Sequence, residues 1–563
     1  MRDIQKLYEA WLSHEEMPKD LKKELKAMKG KAIEDAFFQD LQFGTAGMRG
    51  ILGPGTNRIN IFTIRRAALA FGKYLIKAYP DAQKRGVVIA YDNRHKNTEL
   101  MIETSRTLRS IGIRTCIFDE LKPTPLLSFA VRHLNCIGGV MITASHNPKN
   151  YNGFKVYDDT GSQLTPEKVD LILKEFKELP ELLDIKVTAP TNGYALLSDD
   201  TEETYFKNVL DIQINPNLDR KGYRIVFSPQ HGAGAKLGMR ALNVIGYDVI
   251  KVLDQMEPNP NFPNTKSPNP EDKAAYIEAI KNARAHGAHL IITTDPDADR
   301  LGLAYRNKKG SFSYLTGNEG GALLIDYILK HKKERGELHQ DSYLYTTIVT
   351  STLGSKIAES YGVNVKEFLT GFKFIGTQIA LDDLNKVDRF VFGYEESYGC
   401  LVAPFVRDKD AIQALVLYSE MALYHHLAGK TLDVVLEELA VKHGYHHDVT
   451  KSYEFIGAAG QAKLQAILSN LRNNAPTSLG GLKVVQYDDY LVSKRYINGK
   501  EEELTLPESD VLRFYLEGGS TVSIRPSGTE PKCKIYYGII SENKKSAEAL
   551  LKPIDEQLAK LFT

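Results

Sequence analysis

The sequence predicts an α/β protein that changes to an α+β pattern towards its end. Short runs rich in β-branched residues alternate with segments of helical periodicity, which is typical of largely parallel sheets covered by helices. Residues 481–538, by contrast, are mostly strand-like, and a closing helix follows them. A chain of 563 residues is too long for a single core, so three to four domains are expected.

Six apolar runs are the clearest strand candidates: GVVIAYD, IGGVMITA, YRIVFSP, AHLIITT, SYLYTTIV and RFVFGYEE. Between them, TIRRAALAFGKYLIKAY and EDKAAYIEAIKNARAHG have helical periodicity. Residues 1–28 are also helical in period, with Ile4, Leu7, Trp11 and Leu12 on one side. The five prolines of EPNPNFPNTKSPNPED exclude regular structure, and we expect an ordered loop inside a domain.

Composition excludes several classes of function. The net charge is +1, which gives no support for a nucleic-acid or membrane partner. The N-terminus lacks the apolar core of a signal peptide, and the most apolar run, AIQALVLYSEMALYHHLA, carries Glu420. Cys116, Cys136, Cys400 and Cys533 are far apart, as expected for buried thiols in a reducing compartment. We therefore expect a soluble, cytoplasmic protein.

The stretch TASHNPKNYNGFKVY displays Ser145, His146 and Lys155 directly after an apolar run, residues 137–142. One interpretation is a surface turn, because the stretch is rich in turn-forming residues. The other is a nucleophile or phosphate carrier at the carboxyl end of a strand. Ser145 is not in a G-x-S-x-G elbow, which argues against an α/β-hydrolase nucleophile.

The stretch DPDADR places Asp295, Asp297 and Asp299 at alternate positions after a predicted strand. Three carboxylates so close together repel one another unless a cation lies among them, and oxygen ligands favour Mg²⁺, Mn²⁺ or Ca²⁺ over zinc. An EF-hand is excluded because Arg300 and Arg306 stand where it needs Gly and Glu. A solvated acidic turn is the alternative.

Three further stretches have the composition of ligand-binding loops, although each also fits an ordinary turn. RPSGTEPK offers Arg525, Ser527 and Thr529 to an anion, with Gly528 allowing close approach of the backbone. FGTAGMRG offers Arg49 in a glycine-rich loop, and GYEESYG offers a carboxylate and a hydroxyl suited to a sugar. PQHGAG is only part of a dinucleotide fingerprint, and no Walker motif is present.

Taken together and in this order, TASHNPKNYNGFKVY, DPDADR, GYEESYG and RPSGTEPK resemble the four signature loops of the α-D-phosphohexomutase superfamily. Within it, the sugar loop and the metal loop resemble those of the phosphoglucomutase-2 / bacterial type. The resemblance implies four domains around a central cleft: three similar α/β domains with mixed or parallel sheets and a smaller C-terminal α+β domain. The predicted domains are residues 1–207, 208–320, 321–445 and 446–563.

The resemblance also implies residue roles. Ser145 matches the phosphoserine, and Mg²⁺ is expected on Asp295, Asp297, Asp299 and the Ser145 phosphate. His146 and Lys155 match the catalytic positions for proton transfer and phosphate contact. The implied substrate-binding residues are Arg49, Arg300, Thr370, Glu395, Ser397, Lys409, Arg525, Ser527, Gly528 and Thr529. The departures from the family pattern, at Ala46, Pro296 and Ala298, remove no functional side chain.

The implied reaction interconverts glucose 1-phosphate and glucose 6-phosphate through a phosphoserine, with glucose 1,6-bisphosphate as intermediate and activator. The expected partners are small sugar phosphates, with no nucleic acid or membrane, and the expected state is a monomer or weak homodimer. Phosphopentomutase, phosphomannomutase and glucose 1,6-bisphosphate synthase of the same family are alternatives. A metal-dependent sugar phosphatase is the alternative from another class. A binder without catalysis should have lost Ser145 or one of the three aspartates.

Overall fold

A computed structural model describes residues 2–44, 47–455, 457–527 and 532–562 of the chain. The chain forms two compact units. Unit 1 comprises Met1–Gly317 and Phe372–Tyr424, and unit 2 comprises Asn318–Gly371 and His425–Thr563. Among the residues covered, no helix has both the length and the apolar character that crossing a membrane requires.

Unit 1 begins with short helices that pack around Trp11. The indole ring lies between the rings of Phe37 and Phe62, at centroid distances of 5.5 and 5.3 Å. The helical periodicity predicted for residues 1–28 is confirmed, but the helix is interrupted before Pro18, where a proline ring would not fit a helix interior. These helices are Ile4–Ser13, Lys19–Ala27 and Lys31–Phe37.

The first sheet of unit 1 has helices packed on it and a core of aliphatic and aromatic side chains. In spatial order, its strands are Met48–Ile51, Tyr151–Asp158, Gly138–Ile142, Val87–Tyr91, Thr115–Ile117 and Ala195–Leu196. The α-helices of this part are Ile61–Ala78, Ala82–Arg85, Asn97–Ser110, Thr124–His133, Pro166–Lys177 and Asp200–Asp211, and Leu182–Asp184 is a 3₁₀ turn.

Strand direction in this sheet determines which loops come together. The strands Val87–Tyr91 and Gly138–Ile142 are parallel neighbours, and Tyr91 lies opposite Ile142 at their carboxyl ends. The strand Tyr151–Asp158 runs antiparallel to Gly138–Ile142. Loops that follow neighbouring parallel strands begin at the same edge of a sheet. The segment after Tyr91 therefore starts beside the loop after Ile142. That loop, residues 143–150, contains Ser145 and is called the serine loop.

The second sheet of unit 1 is also mixed, with three parallel strands and two antiparallel ones. In spatial order, its strands are Phe312–Tyr314, Leu301–Arg306, Leu290–Thr294, Arg224–Ser228 and Asp248–Lys251. Its helices are Gly234–Ile245 and Ile277–His286, with 3₁₀ turns at Leu253–Gln255 and Lys273–Tyr276. The proline-rich stretch before Lys273 consists of turns and bends inside unit 1, as predicted.

The remainder of unit 1 contains a hairpin. The strand Phe390–Tyr394 pairs antiparallel with Cys400–Leu401, so that GYEESYG forms the turn between them. Tyr398 in this turn has a φ of 68°, a left-handed conformation that few non-glycine residues adopt. The helices of this part are Phe372–Leu384 and Ala411–Leu427.

Unit 2 combines a parallel strand pair, Tyr343–Thr347 with Asn364–Phe368, and an antiparallel sheet with its own apolar core. In spatial order, the strands of that sheet are Tyr445–Glu454, Lys532–Ser541, Thr521–Pro526, Leu512–Leu516, Leu482–Asp489, Lys494–Ile497 and Lys500–Glu503; Ser478–Leu479 also pairs with Leu482–Asp489. The helices are Gly317–Glu334, Thr352–Ser360, Leu432–His443, Gly457–Asn473 and Lys544–Phe562, with a 3₁₀ turn at Glu517–Gly519.

The predicted fold class is confirmed: α/β sheets in three parts of the chain precede a β-rich α+β part. Each of the six strand candidates contains a strand of the structure. The four cysteines are free, and three are buried, but Cys116 is only half-buried. The domain limits predicted from the sequence stay a prediction.

Candidate active site

Ser145 lies just beyond the strand Gly138–Ile142, in a conformation that non-glycine residues seldom adopt. Its φ is 50°, and the residue is only 2% exposed. Its Oγ donates a hydrogen bond to Oδ2 of Asp295 at 2.7 Å and lies 3.2 Å from Nδ1 of His146. Strained backbone of this kind clusters at functional sites. The hydroxyl is thus held between a carboxylate and an imidazole.

Arg94 holds the backbone of the serine loop through hydrogen bonds to its carbonyl oxygens. Its Nη2 donates to the carbonyl oxygens of Ser145 and Asn147 at 2.6 and 2.5 Å. Its Nη1 donates to the carbonyl oxygens of Pro148 and Tyr151 at 2.9 and 3.0 Å. One buried guanidinium therefore binds three carbonyl groups of the loop and the first carbonyl group of the strand that follows it.

A second buried network holds the start of the same loop. Asp92 accepts a hydrogen bond from Oγ1 of Thr143 at 2.6 Å and from Nδ2 of Asn97 at 2.6 Å. Thr143 in turn accepts from the backbone N–H of Ser145 at 2.8 Å. The carboxylate of Asp92 also lies 3.5 Å from Nε of Arg94. Buried hydrogen-bond networks of this kind keep a loop in one conformation.

Asp295, Asp297 and Asp299 follow the strand Leu290–Thr294 and are buried, which is not the situation of a solvated acidic turn. One oxygen from each lies within 4.8 Å of those from the other two. Within the described part of the chain, Oδ1 of Asp297 and Oδ1 of Asp299 have no hydrogen-bond donor. Buried carboxylate oxygens are costly when unpaired, so this donor set fits a divalent cation that prefers oxygen.

Two lysines balance part of this negative charge. Nζ of Lys155 lies 2.7 Å from Oδ2 of Asp297 and 3.2 Å from Oδ2 of Asp299. Nζ of Lys409 lies 3.3 Å from Oδ2 of Asp299 and 2.9 Å from Oδ1 of Asp408. Burial alone would raise the pKa of Asp299, but the charges of these lysines and of Arg300 outweigh it and hold that pKa well below its ordinary range.

The two groups that contact Ser145 Oγ have displaced pKa values. Burial raises the pKa of Asp295 well above its ordinary range, and the charges of Asp297 and Asp299 add to this. A bound cation would act in the opposite direction, because it stabilises the carboxylate. Desolvation lowers the pKa of the half-buried His146 well below its ordinary range, and nearby arginine charges contribute. The imidazole is therefore neutral near pH 7 and able to accept a proton.

Two predicted phosphate-binding arginines contact these loops. Nη1 of Arg49 donates to Oδ1 of Asn147 at 2.9 Å. Nη1 of Arg300 donates to Oε1 of Glu271 at 2.6 Å, and its Nε lies 3.9 Å from Oδ1 of Asp299. Unit 1 thus brings both arginines to the edges of the serine and aspartate loops.

The predicted sugar-binding turn is tied to the aspartate loop. The buried Glu395 donates its backbone N–H to the carbonyl oxygen of Gly399 at 2.9 Å, which closes the turn that also holds Ser397. The backbone N–H of Leu301, just after DPDADR, donates to the carbonyl oxygen of Tyr398 at 3.0 Å. One backbone hydrogen bond therefore joins the sugar-binding turn to the end of the aspartate loop.

The remaining predicted residues belong to unit 2. Thr370 follows the strand Asn364–Phe368 and is half-buried. Arg525 lies within the strand Thr521–Pro526, and Ser527 comes directly after it. Both are half-buried, and their role in phosphate binding stays a prediction. Two predicted residues lie outside the described ranges: Gly528 and Thr529.

Sequence reasoning missed several residues that support the site. Asp92 and Arg94 had a usable signal, because DNRH follows the predicted strand GVVIAYD just as ASHN follows IGGVMITA. Thr124, which donates from Oγ1 to Oδ2 of Asp297 at 2.9 Å, has no such signal, because it begins a helix far away in the sequence. Glu271 and Asp408 likewise become recognisable only through their partners, Arg300 and Lys409.

Models of the phosphoglucomutase/phosphomannomutase family match the chain in four consecutive parts. The alpha/beta/alpha domains I, II and III match residues 40–182, 203–310 and 316–443, and the C-terminal domain matches residues 468–552. Because the matches span most of the chain, it belongs to this family and thus to the α-D-phosphohexomutase superfamily. The resemblance inferred from the four loops is confirmed, and with it the class of enzyme, an intramolecular phosphotransferase.

Named relatives are similar along nearly the whole chain. The phosphoglucomutase of Staphylococcus epidermidis is 38% identical over 506 residues, which are 89% of this chain and 90% of the relative. The phosphoglucomutase of Staphylococcus aureus strain MSSA476 is 38% identical over 519 residues, 90% and 91% of the two chains. The solved structure of parafusin, a phosphoglucomutase from Paramecium, in its open form has a TM-score of 0.67 at 17% identity, covering 93% of this chain and 96% of that one. The similarity to parafusin, at 17% sequence identity, shows a shared fold and nothing more.

Proposed function

We propose that this chain is a phosphoglucomutase that interconverts glucose 1-phosphate and glucose 6-phosphate through a phosphorylated Ser145. Staphylococcal relatives of that name, 38% identical over about nine tenths of the chain, support the reaction. The observation that carries the proposal is the position of Ser145 Oγ, which lies 2.7 Å from Oδ2 of the buried Asp295. Asp297 and Asp299, which lie close to Asp295, each have one carboxylate oxygen with no hydrogen-bond donor among the described residues.

Asp295, Asp297 and Asp299 are the residues that would hold Mg²⁺, together with an oxygen of the Ser145 phosphate. The all-oxygen donor set and the buried carboxylate oxygens without donors support this assignment. A cation bound there supplies charge neutralisation to the phosphoryl group during its transfer. Lys155 and Lys409, which contact two of the three aspartates, provide further positive charge.

The first half-reaction moves the phosphoryl group from Ser145 to a free hydroxyl of the sugar phosphate. The bond from Oγ to phosphorus breaks, and a bond from the sugar oxygen to phosphorus forms, which yields glucose 1,6-bisphosphate. The sugar hydroxyl loses a proton, and His146 is the better acceptor because it is neutral, whereas Lys155 between two carboxylates stays protonated. After the bisphosphate turns over, its other phosphoryl group returns to Ser145.

Positioning carries most of such a reaction, because phosphoryl transfer depends on alignment and charge neutralisation. Glu395 and Ser397 are proposed to bind sugar hydroxyls. The bisphosphate is proposed to contact four residues: Arg49, Arg300, Thr370 and Lys409. The non-reacting phosphate is proposed to bind in the C-terminal loop, to Arg525, Ser527, Gly528 and Thr529.

Initial rates on glucose 1-phosphate, mannose 1-phosphate and ribose 1-phosphate, with and without glucose 1,6-bisphosphate, test the proposed function. We expect the highest kcat/KM for glucose 1-phosphate and activation by the bisphosphate. A preference for ribose or mannose 1-phosphate would replace it with a sibling activity, and phosphate release without isomerisation would indicate a phosphatase. A cytoplasmic location and a monomer or weak homodimer are also proposed, and size-exclusion chromatography tests the latter.

A further inference from the structure

Residues 257–263, the first part of the proline-rich stretch, are closed into a loop by one buried histidine. Nδ1 of His231 lies 2.8 Å from the carbonyl oxygen of Glu257, and its Nε2 makes a short contact to the carbonyl oxygen of Pro263. His231 is 2% exposed and follows the strand Arg224–Ser228. A single imidazole therefore joins both ends of a segment that contains neither helix nor strand.

Both partners of this imidazole are acceptors. A carbonyl oxygen cannot donate, so the imidazole is the donor wherever one of these contacts is a hydrogen bond. Gln230 and His231 both have left-handed backbone conformations, with φ values of 51° and 61°. Two consecutive non-glycine residues in this region are costly and persist only where the surroundings enforce them. The ring is thus held in a fixed direction, towards two carbonyl groups.

The same segment contacts three consecutive residues, 93 to 95, and the middle one is the Arg94 that holds the serine loop. Nδ2 of Asn93 donates to the carbonyl oxygen of Asn259 at 3.0 Å. Nε2 of His95 lies 3.1 Å from Oδ1 of Asn261. Between them, the guanidinium carbon of Arg94 lies 5.5 Å from the ring centroid of Phe262, within the range of a cation–π contact.

We propose that His231 and Phe262 are positioning residues for phosphoryl transfer: His231 fastens residues 257–263, and Phe262 fixes Arg94 and through it the backbone of the Ser145 loop. Arg94 binds three carbonyl oxygens of that loop and one of the strand that follows it, so a shift of its guanidinium displaces the serine hydroxyl. Displacement of a reacting atom lowers the rate of the chemical step more than substrate affinity. The kinetic part of this inference rests on the proposed phosphoglucomutase activity.

A matched pair of substitutions tests the role of Phe262. Phe262→Leu removes the ring face beneath Arg94, and Phe312→Leu removes the same feature beneath Arg306, where the distance is also 5.5 Å but no contact to the site exists among the described residues. We expect Phe262→Leu to lower kcat about tenfold with little change in KM, and Phe312→Leu to keep wild-type kcat. A kcat unchanged in both, with equal losses of thermal stability, would overturn the proposal.

His231→Gln tests the role of His231, because a flexible glutamine side chain does not replace a rigid ring that lies between the carbonyl oxygens of Glu257 and Pro263. The double variant with Phe262→Leu should lose no more activity than the worse single variant, since both changes release the same segment. If the losses of activity in the two single variants multiplied in the double variant, His231 and Phe262 would not act through the same segment.

Hydrogen exchange separates this inference from the proposed function, because it requires no turnover. Backbone amides of residues 143–151 should exchange faster in Phe262→Leu and in His231→Gln than in wild type or in Phe312→Leu. If wild-type protein lacked mutase activity, the proposed function would fail while this comparison still decided the positioning role. Unchanged exchange in both variants would overturn that role whatever the activity.

Discussion

At the scale of single residues, the proposed chemistry depends most directly on the hydroxyl of Ser145. Ser145→Ala removes the atom that carries the phosphoryl group, so mutase activity should fall by at least about a thousandfold. Ser419→Ala is a matched control, because it removes a buried hydroxyl that only donates to a helix carbonyl oxygen. Coupled-enzyme rates and thermal midpoints measure both. Substantial activity in a folded Ser145→Ala protein would refute the phosphoserine mechanism.

Asp297 should set the affinity for the cation. Asp297→Asn replaces a buried anion with a neutral amide, so Mg²⁺ should bind at least about tenfold more weakly. Isothermal titration with Mg²⁺ measures this without turnover. The control is Asp248→Asn, which removes an exposed carboxylate paired with Arg224. Equal Mg²⁺ affinity of Asp297→Asn and wild type would show that the cation, if bound, lies elsewhere.

The site residues found from the sequence are those whose chemistry is local. Asp295, Asp297 and Asp299 stand at alternate positions in the chain, so their mutual repulsion can be inferred from the sequence alone. Arg94 could not be assigned, because the carbonyl groups it binds belong to residues 51 to 57 positions later. Backbone carbonyl groups also carry no residue identity, so no sequence pattern marks them as partners.

At the scale of elements, the hairpin that carries Glu395 depends on a glycine opposite a lysine. A Cβ added at Gly399 would lie 2.0 Å from Cδ of Lys409, and that lysine contacts Asp299. Gly399→Ala should therefore displace Lys409 and lower kcat by about tenfold or more. In combination with Lys409→Ala it should cause no further loss, because Gly399→Ala acts by displacing the ammonium group that Lys409→Ala removes. Additive losses in rate assays would contradict this coupling.

The helix Ala411–Leu427 begins at a buried carboxyl group whose titration affects stability. Oδ1 of Asp410 accepts from the backbone N–H groups of Ile412 and Gln413 at 2.9 and 3.1 Å, and burial raises the pKa of Asp410 to about 6. The folded chain therefore binds this proton more tightly than the unfolded chain does. The resulting stabilisation is present below about pH 4 and is lost as the pH rises through about 6.

Asp410→Asn lacks this titration, so its stability relative to wild type should rise between pH 4.5 and 7, by about 2 kcal/mol. Thermal midpoints of both proteins over that range provide the measurement. A stability difference that stays constant with pH would show that Asp410 keeps its ordinary pKa in the folded chain.

Elements were predictable where one physical pattern dominated. The strand Leu290–Thr294 is uniformly buried, and its apolar run already indicated this. The periodicity of residues 1–28 indicated helix but not where it is interrupted, and in the structure a second helix begins after Pro18. The loop of residues 257–263 was recognised as irregular from its prolines, whereas its order comes from His231, which is distant in sequence.

At the scale of the whole molecule, a substrate that reacts in two orientations needs an anchor for its other phosphate, and Arg525 is proposed for it. A phosphate accepts donors from many directions, so one loop suits both orientations. Arg525→Ala should raise KM strongly, by about tenfold or more, with a smaller effect on kcat. Arg495→Ala, which removes another arginine of the same sheet, paired with Asp488, should keep wild-type KM.

The ratio of phosphate release to isomerisation should also rise in Arg525→Ala, if gripping the phosphate helps to exclude water. Wild-type kinetics in this variant would remove the support for the anchor.

The class of the fold followed from the alternation of strand and helix patterns, which is a property of the entire chain. The net charge of +1 carried no such information, because it is a sum over the whole chain and says nothing about the order of its elements.

The four carbonyl contacts of Arg94 have a consequence for evolutionary drift. Two guanidinium nitrogens reach four oxygens, whereas the single ammonium nitrogen of a lysine offers three protons from one point. Exposed arginines such as Arg224 can exchange with lysine during divergence, because charge alone is retained. At position 94 the planar shape of the guanidinium is required as well as its charge. Diverged homologues that still use the serine should therefore keep arginine there.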